Sequence, residues 1–170
     1  HALRFIRKKA SFPPLGLLTV AALLPESWEK RLVDMNVQAL NESDLQWADY
    51  VFVSAMVAQR ESTHQVIERC YRADVPIVAG GPLFIGEHEQ FPQVDHFVLG
   101  EGEVTLPIFL EDLAKGEPKP LYESNEFPHM HDSPTPMWEL IDFQYYSSMC
   151  IQYSRGCPFD CEFCNITAMF

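Results

Sequence analysis

Apolar residues fall along this chain in short β-branched runs, separated by stretches with helical spacing. Arg31-Leu32-Val33-Asp34-Met35, Tyr50-Val51-Phe52-Val53-Ser54, Pro76-Ile77-Val78-Ala79 and His96-Phe97-Val98-Leu99 each read as a strand. Their separation, roughly twenty residues, suits strand–helix–strand units that build a parallel sheet. Met149-Cys150-Ile151-Gln152-Tyr153 reads as a further strand near the end of the chain.

The stretches between carry helix start and stop signals. Pro13 or Pro14 opens a helix over Leu15 to Leu24, because proline is well tolerated in a first turn. Ser43 with Gln46, and Ser62 with Gln65, are candidate capping boxes. The second helix places Val66, Ile67 and Cys70 on one face, which makes Cys70 a small buried apolar residue. The last helix runs from Glu103 to Lys115, with Val104, Ile108, Leu110 and Leu113 inward and Gly116 as its stop.

The loops after the strands are the informative ones. Ser54-Ala55-Met56, Ala79-Gly80-Gly81-Pro82 and Gly100-Glu101-Gly102-Glu103 would all lie at the carboxyl edge of a parallel sheet. Ligands bind at that edge, where small residues let the backbone come close. Any one of these loops alone reads as a turn; three at one edge read as a ligand site.

Residues 117–147 change character. Pro118, Pro120, Pro128, Pro134 and Pro136 interrupt regular structure, while Trp138, Phe143, Tyr145 and Tyr146 are interleaved. Disordered tethers are poor in aromatics, so this is expected to be a connector that packs on a neighbour. The expected divisions are therefore 1–116, 117–147 and 148–170.

Charge and composition narrow the function. A net charge of −12 argues against a nucleic-acid surface. Arg4, Arg7, Lys8 and Lys9 ahead of an apolar run resemble a secretory leader, but no small-residue cleavage site follows and the run is too short for a transmembrane segment. A cytoplasmic protein is expected. The chain opens at His1 without Met and stops six residues after Cys164, so it reads as a piece of a longer protein.

Of five cysteines, three crowd into Cys157-Pro158-Phe159-Asp160-Cys161-Glu162-Phe163-Cys164. Offsets of four and three let three thiolates converge on one side of a tight loop. A four-iron cluster so held leaves one iron open to a small molecule. Zinc usually brings paired Cys-x-x-Cys units or histidines and four protein ligands, and no His follows His131. An electron-transfer cluster would need a fourth cysteine, for which Cys150 is the local candidate.

This cysteine run, preceded by a strand and Arg155-Gly156, resembles the cluster loop of radical S-adenosylmethionine enzymes. Pro13-Pro14-Leu15-Gly16 and the loops at Gly80-Gly81-Pro82 and Gly100-Glu101-Gly102-Glu103 resemble the cobalamin-binding domain often fused ahead of that barrel. The branch it looks most like includes hopanoid methylases. The resemblance implies an α/β, Rossmann-like (flavodoxin-like) parallel-sheet cobalamin domain, followed by a linker and the start of a (β/α) barrel. The domain's first, central strand would lie before His1.

It also implies a 4Fe-4S cluster on Cys157, Cys161 and Cys164, whose open iron chelates S-adenosylmethionine, with Phe163 near the adenine. Reductive cleavage then yields a deoxyadenosyl radical, and methylcobalamin often supplies a methyl group to an unactivated carbon. The electron would come from a flavodoxin or ferredoxin, and the substrate would be a small or lipid-like molecule. Ser54, Met56, Gln59, Gly80, Gly81, Pro82, Gly100, Glu101, Gly102 and Glu103 are the expected cofactor contacts, with Arg60 beside Gln59. The family's Asp-x-His-x-x-Gly cobalt ligand is absent, and His64 sits in Thr63-His64-Gln65, so cobalt would have no protein histidine. A carrier module without catalysis and an iron–sulfur electron carrier are the competing functions. Cys150→Ala in the full-length protein should leave iron per chain unchanged; loss of iron would favour the electron carrier.

Overall fold

Three of the predicted strands form, and each packs alternate residues on opposite faces of one sheet. The computed structural model describes residues 2–159 and 161–162. In chain order its elements are helices α1 (Ala2–Phe5), α2 (Leu15–Leu23) and α3 (Glu42–Trp47), strand β1 (Val51–Ser54), α4 (Arg60–Arg72), β2 (Ile77–Gly80), α5 (Pro82–Glu87), β3 (His96–Leu99), α6 (Gly102–Lys115) and β4 (Leu121–Glu123). The four strands lie in the order β1-β2-β3-β4, all parallel, with Val51 opposite Ile77, Ala79 opposite Phe97 and Val98 opposite Tyr122.

Period-two alternation then sorts the side chains. Ile77, Ala79, Phe97 and Leu99 face Leu45 of α3, Ile67 and Cys70 of α4, and Leu83 and Phe84 of α5. Val78, Val98 and Tyr122 face the other way, onto Leu106 and Phe109 of α6 and Val20 and Leu23 of α2. The result is an α/β/α sandwich with apolar packing on both faces, as the Rossmann-like reading expects. Among the described residues no helix is long and apolar enough to cross a membrane.

Several local expectations need correction. Arg31 to Met35 is not a strand. It has no regular structure up to Asp34 and then turns, with the Asp34 carbonyl accepting from Val37 and Gln38 at 2.8 and 2.9 Å. A strand exists only when its N–H and C=O groups find a ladder, and here no strand among the described residues lies beside it. Between this segment and the outer edge of β1 lies a cavity of about 710 Å³, walled by Leu32 and Val33 on one side and Val51 and Val53 on the other. Met149 to Tyr153 likewise has no ladder partner among the described residues, and Ile151 and Tyr153 are exposed.

Residues 117–147 are more than a connector, because Leu121–Glu123 pairs with β3 as the edge strand β4. Pro120 directly before it accepts from the Phe97 N–H at 2.8 Å, and proline is tolerated where a strand starts at a sheet edge. The remainder folds back on the amino-terminal segment: Lys9 and Ala10 donate to the Tyr145 carbonyl, and the buried Tyr146 hydroxyl donates to Asp34 at 2.9 Å. Asp34 is itself buried. Burial and this bond together push the Tyr146 phenol far above its ordinary range.

The helix caps also shift. Asn41, not Ser43, precedes α3, with its N–H donating to Asp44 at 2.9 Å. Helix α4 starts at Arg60, ahead of Ser62, which returns its hydroxyl to the Gln59 carbonyl at 2.8 Å. On α6 the inward stripe is Leu106, Phe109, Leu110 and Leu113, and Ile108 is 48% exposed. Those four positions follow i, i+3, i+4, i+7, which leaves Ile108 on the flank. Phe109 is fully buried, edge-on to both Phe52 and Tyr122. Phe109→Ala should therefore cost about 3–5 kcal/mol, read as a fall in the urea midpoint at unchanged slope.

Candidate cofactor-binding site

A parallel sheet sends every strand's carboxyl end to one edge, so the loops after β1, β2 and β3 converge. Ser54, Gly80, Gly81, Pro82, Gly100, Glu101, Gly102 and Glu103 all line a single cavity of about 570 Å³ at that edge. Its inner wall is apolar, from Val78, Val98 and Leu106, and helix α2 crosses over it with Leu15, Gly16 and Val20. Helix α2 is apolar on every side because it buries Leu18 and Ala21 while Leu17 and Val20 line both cavities. Ile151 to Arg155 close the remaining side.

Two expected residues lie elsewhere. Met56 lines neither cavity, and Gln59 borders only the larger one. Gln59 is engaged locally, its Oε1 accepting the Met56 N–H at 2.9 Å. Arg60 is paired with Glu87 on α5. His64 stacks on Phe91 with ring centres 4.4 Å apart, and none of the described histidines lines the smaller cavity. Cys157 is exposed and Cys161 partly buried, while Phe163 and Cys164 lie outside the described residues. Among the described residues no three potential metal ligands come together.

The glycines divide into two kinds. A Cβ on Gly80 would sit 2.6 Å from the Val98 carbonyl oxygen, and one on Gly100, at φ +81°, would sit 2.3 Å from the Ser124 carbonyl oxygen. The sheet's own backbone demands these glycines. Gly102 is different: a Cβ there meets only Val20 and Leu23, at 3.9 and 4.0 Å. Nothing in the fold requires a glycine at this point of the cavity wall.

The two carboxylates beside Gly102 are already engaged. Arg155 reaches in from the segment before the cysteines, its side chain 12% exposed, and pairs with Glu101 and Glu103, themselves 12% and 7% exposed. Its Nη2 donates to Glu103 and lies 3.0 Å from Ser133 Oγ, whose hydroxyl also donates to Glu103. Its Nη1 sits 2.6 Å from Glu101 Oε2 but off the line of a hydrogen bond, so that contact is charge against charge. Burial pushes the Glu103 carboxyl up, but the hydrogen bonds from Arg155 and Ser133 outweigh it and hold the group below the usual range. Glu101 ends above that range: burial raises it, Arg155 opposes, and neighbouring Glu103 adds to the rise. Glu101 Oε1 is buried with no hydrogen-bond partner among the described residues. Sequence reasoning noted Arg155-Gly156 only as part of a motif; that the arginine folds into the cavity wall required the tertiary structure.

Residues 6–110, more than half of the chain, match the B12 binding domain family. The chain belongs to that family. As a B12 binding domain it is 38% identical over 170 residues to an uncharacterized methyltransferase of Synechocystis sp., covering 99% of this chain and 32% of that protein. It is 35% identical over 165 residues to the hopanoid C-2 methylase of Rhodopseudomonas palustris, covering 95% and 31%. An anaerobic magnesium-protoporphyrin IX monomethyl ester cyclase of Synechocystis sp. is 27% identical over 194 residues, covering 92% and 38%. The chain thus spans about a third of the length of the curated relatives it matches. No solved structure matches it significantly. The resemblance to cobalamin-binding-domain enzymes, with a hopanoid methylase among them, is borne out.

The glycine contrast is testable in the B12 binding domain. Gly100→Ala should lose about 2 kcal/mol or more, because strain and a backbone clash coincide. Gly102→Ala should change stability by less than about 0.5 kcal/mol. Equal losses in denaturant melts would refute the distinction.

Proposed function

We propose that this chain is the front part of a cobalamin-dependent radical S-adenosylmethionine methylase. The observation that carries this reading is the wall formed by Ile151 to Arg155. The segment that leads into Cys157-x-x-x-Cys161-x-x-Cys164 also closes the cavity of a B12 binding domain. A carrier module would have no use for such a cysteine motif following directly on its cavity wall.

The residues present suit a corrinoid. Val78, Val98 and Leu106 offer an apolar wall to its aromatic and methyl-bearing parts, and Gly102 leaves the approach clear. The unpartnered Glu101 Oε1 on the same wall suits a carboxamide donor, of which the corrin periphery carries several. Cys157, Cys161 and Cys164 are the residues that would hold a 4Fe-4S cluster, and Phe163 would flank the adenine of S-adenosylmethionine. When bound, these cofactors would supply the electron, the radical and the methyl group; the chain's own residues bind, orient and exclude water. A methyl group transferred to an unactivated carbon of a lipid-like substrate is the reaction favoured by the hopanoid C-2 methylase likeness. A flavodoxin or ferredoxin would then be the electron donor.

Anaerobic reconstitution of the full-length protein tests each half separately. Hydroxocobalamin should bind close to one per chain, and S-adenosylmethionine should change the electron paramagnetic resonance spectrum of the reduced cluster. A spectrum indifferent to S-adenosylmethionine would sink the open-iron reading, and failure to bind hydroxocobalamin would sink the corrinoid reading. Gly102→Trp should fill the cavity, keep the circular dichroism spectrum and weaken cobalamin binding about tenfold or more.

A further inference from the structure

Residues 151–159 invert the usual rule of burial. Ile151 is 84% exposed, Tyr153 94% and Phe159 70%, yet the charged Arg155 among them is drawn inside. In this stretch every other described residue is exposed. No backbone hydrogen bond fastens it to the domain among the described residues; the polar contacts that do are those of the Arg155 guanidinium to Glu101, Glu103 and Ser133.

Stability is a poor explanation for such a site. Burying one cation with two carboxylates costs desolvation that their attraction only partly offsets, and an apolar replacement often does as well. What an ion cluster of this kind supplies is a single geometry. The planar fork of arginine can meet two carboxylates at once, which a lysine cannot copy. Glu101 caps α6 and Glu103 lies in its first turn, so both are held by the sheet-backed helix. On the other side of the contact, Gly156 at φ +78° turns the chain directly into Cys157. The arginine is therefore the last held point before the cysteines, and its anchor is the cavity wall.

We infer that Arg155 is a positioning residue: through Glu101 and Glu103 it pins the start of the cysteine loop to the wall of the corrinoid cavity, and so sets the separation of the two cofactor sites. This rests on the proposed function for what occupies the sites, but not for the pinning itself. Ser133 joins the cluster from the connector, so the three parts of the chain meet at one guanidinium.

The test uses the full-length protein and two variants. Arg155→Lys keeps the charge without the fork. The triple variant Arg155→Met, Glu101→Gln, Glu103→Gln removes the cluster without leaving a buried charge unpaired. With cob(II)alamin and the reduced cluster both in place, pulsed dipolar spectroscopy reads the distance between them. The wild type should give one narrow distribution and the triple variant a broad or shifted one, with Arg155→Lys between. The triple variant should also turn over more S-adenosylmethionine per methylated product, a ratio that a merely structural loss would not move. A triple variant with the wild-type distance distribution overturns the inference. Should the wild type hold no cobalamin or no cluster, the functional reading fails and the pinning is read by limited proteolysis. Chymotrypsin should then cut after the exposed Tyr153 about tenfold faster or more in the triple variant, and an unchanged cleavage rate overturns the inference.

Discussion

Everything in this molecule hangs on the parallel backbone ladder from β1 to β4. Because all four strands run the same way, their carboxyl ends share one edge, and the loops that follow them must meet there. The same ladder imposes the period of two that sends Ile77, Ala79 and Leu99 toward α4 and α5, and Val78 and Val98 toward α2 and α6. A sheet buried on both faces leaves little choice of register, since a slip of one residue would turn each apolar set to the wrong side. The cavity at the carboxyl edge follows from this ladder without any further device.

Helix α2 shows how the ladder shapes what lies on it. Its sequence is apolar all round, which from composition alone resembles a leader or a membrane segment. In the fold each side has a use: Leu18 and Ala21 are buried, and Leu17 and Val20 border the two cavities. The larger cavity lies where, among the described residues, no strand pairs with the outer edge of β1 or with Leu32 and Val33. Apolar side chains from both sides face that gap, so the same residues that read as strand in the sequence remain unpaired in space.

Polar contacts play a different part. Among the described residues the buried hydroxyls of Thr63 and Thr105 bond within their own helical turn, whereas two sets of contacts join segments distant in sequence: Tyr146 to Asp34, and Arg155 to Glu101, Glu103 and Ser133. Each brings the later part of the chain back onto the earlier part. Hydrophobic packing sets the layers because it is strong and non-directional, whereas these few directional contacts decide where the connector and the cysteine segment lie upon them.

The positions of β1, β2 and β3, the parallel class and the gathering of Gly80, Gly81, Gly100 and Gly102 at one edge were legible in the sequence, because period and spacing are local properties. So was the spacing of Cys157, Cys161 and Cys164, which is chemistry written in consecutive residues. Other features depended on distant partners. Arg31 to Met35 has strand composition but, among the described residues, no neighbour to pair with; Leu121 to Glu123 sits among prolines yet finds β3 beside it. Met56 and Gln59 follow β1 as expected, but the turn at Val57–Gln59 keeps them off the smaller cavity. The sequence by itself determined which residues have strand composition and how three cysteines are spaced. Only the tertiary structure decided which strands found ladders, and that a charged Arg155 would be buried against Glu101 and Glu103, because pairing and desolvation depend on groups far apart along the chain.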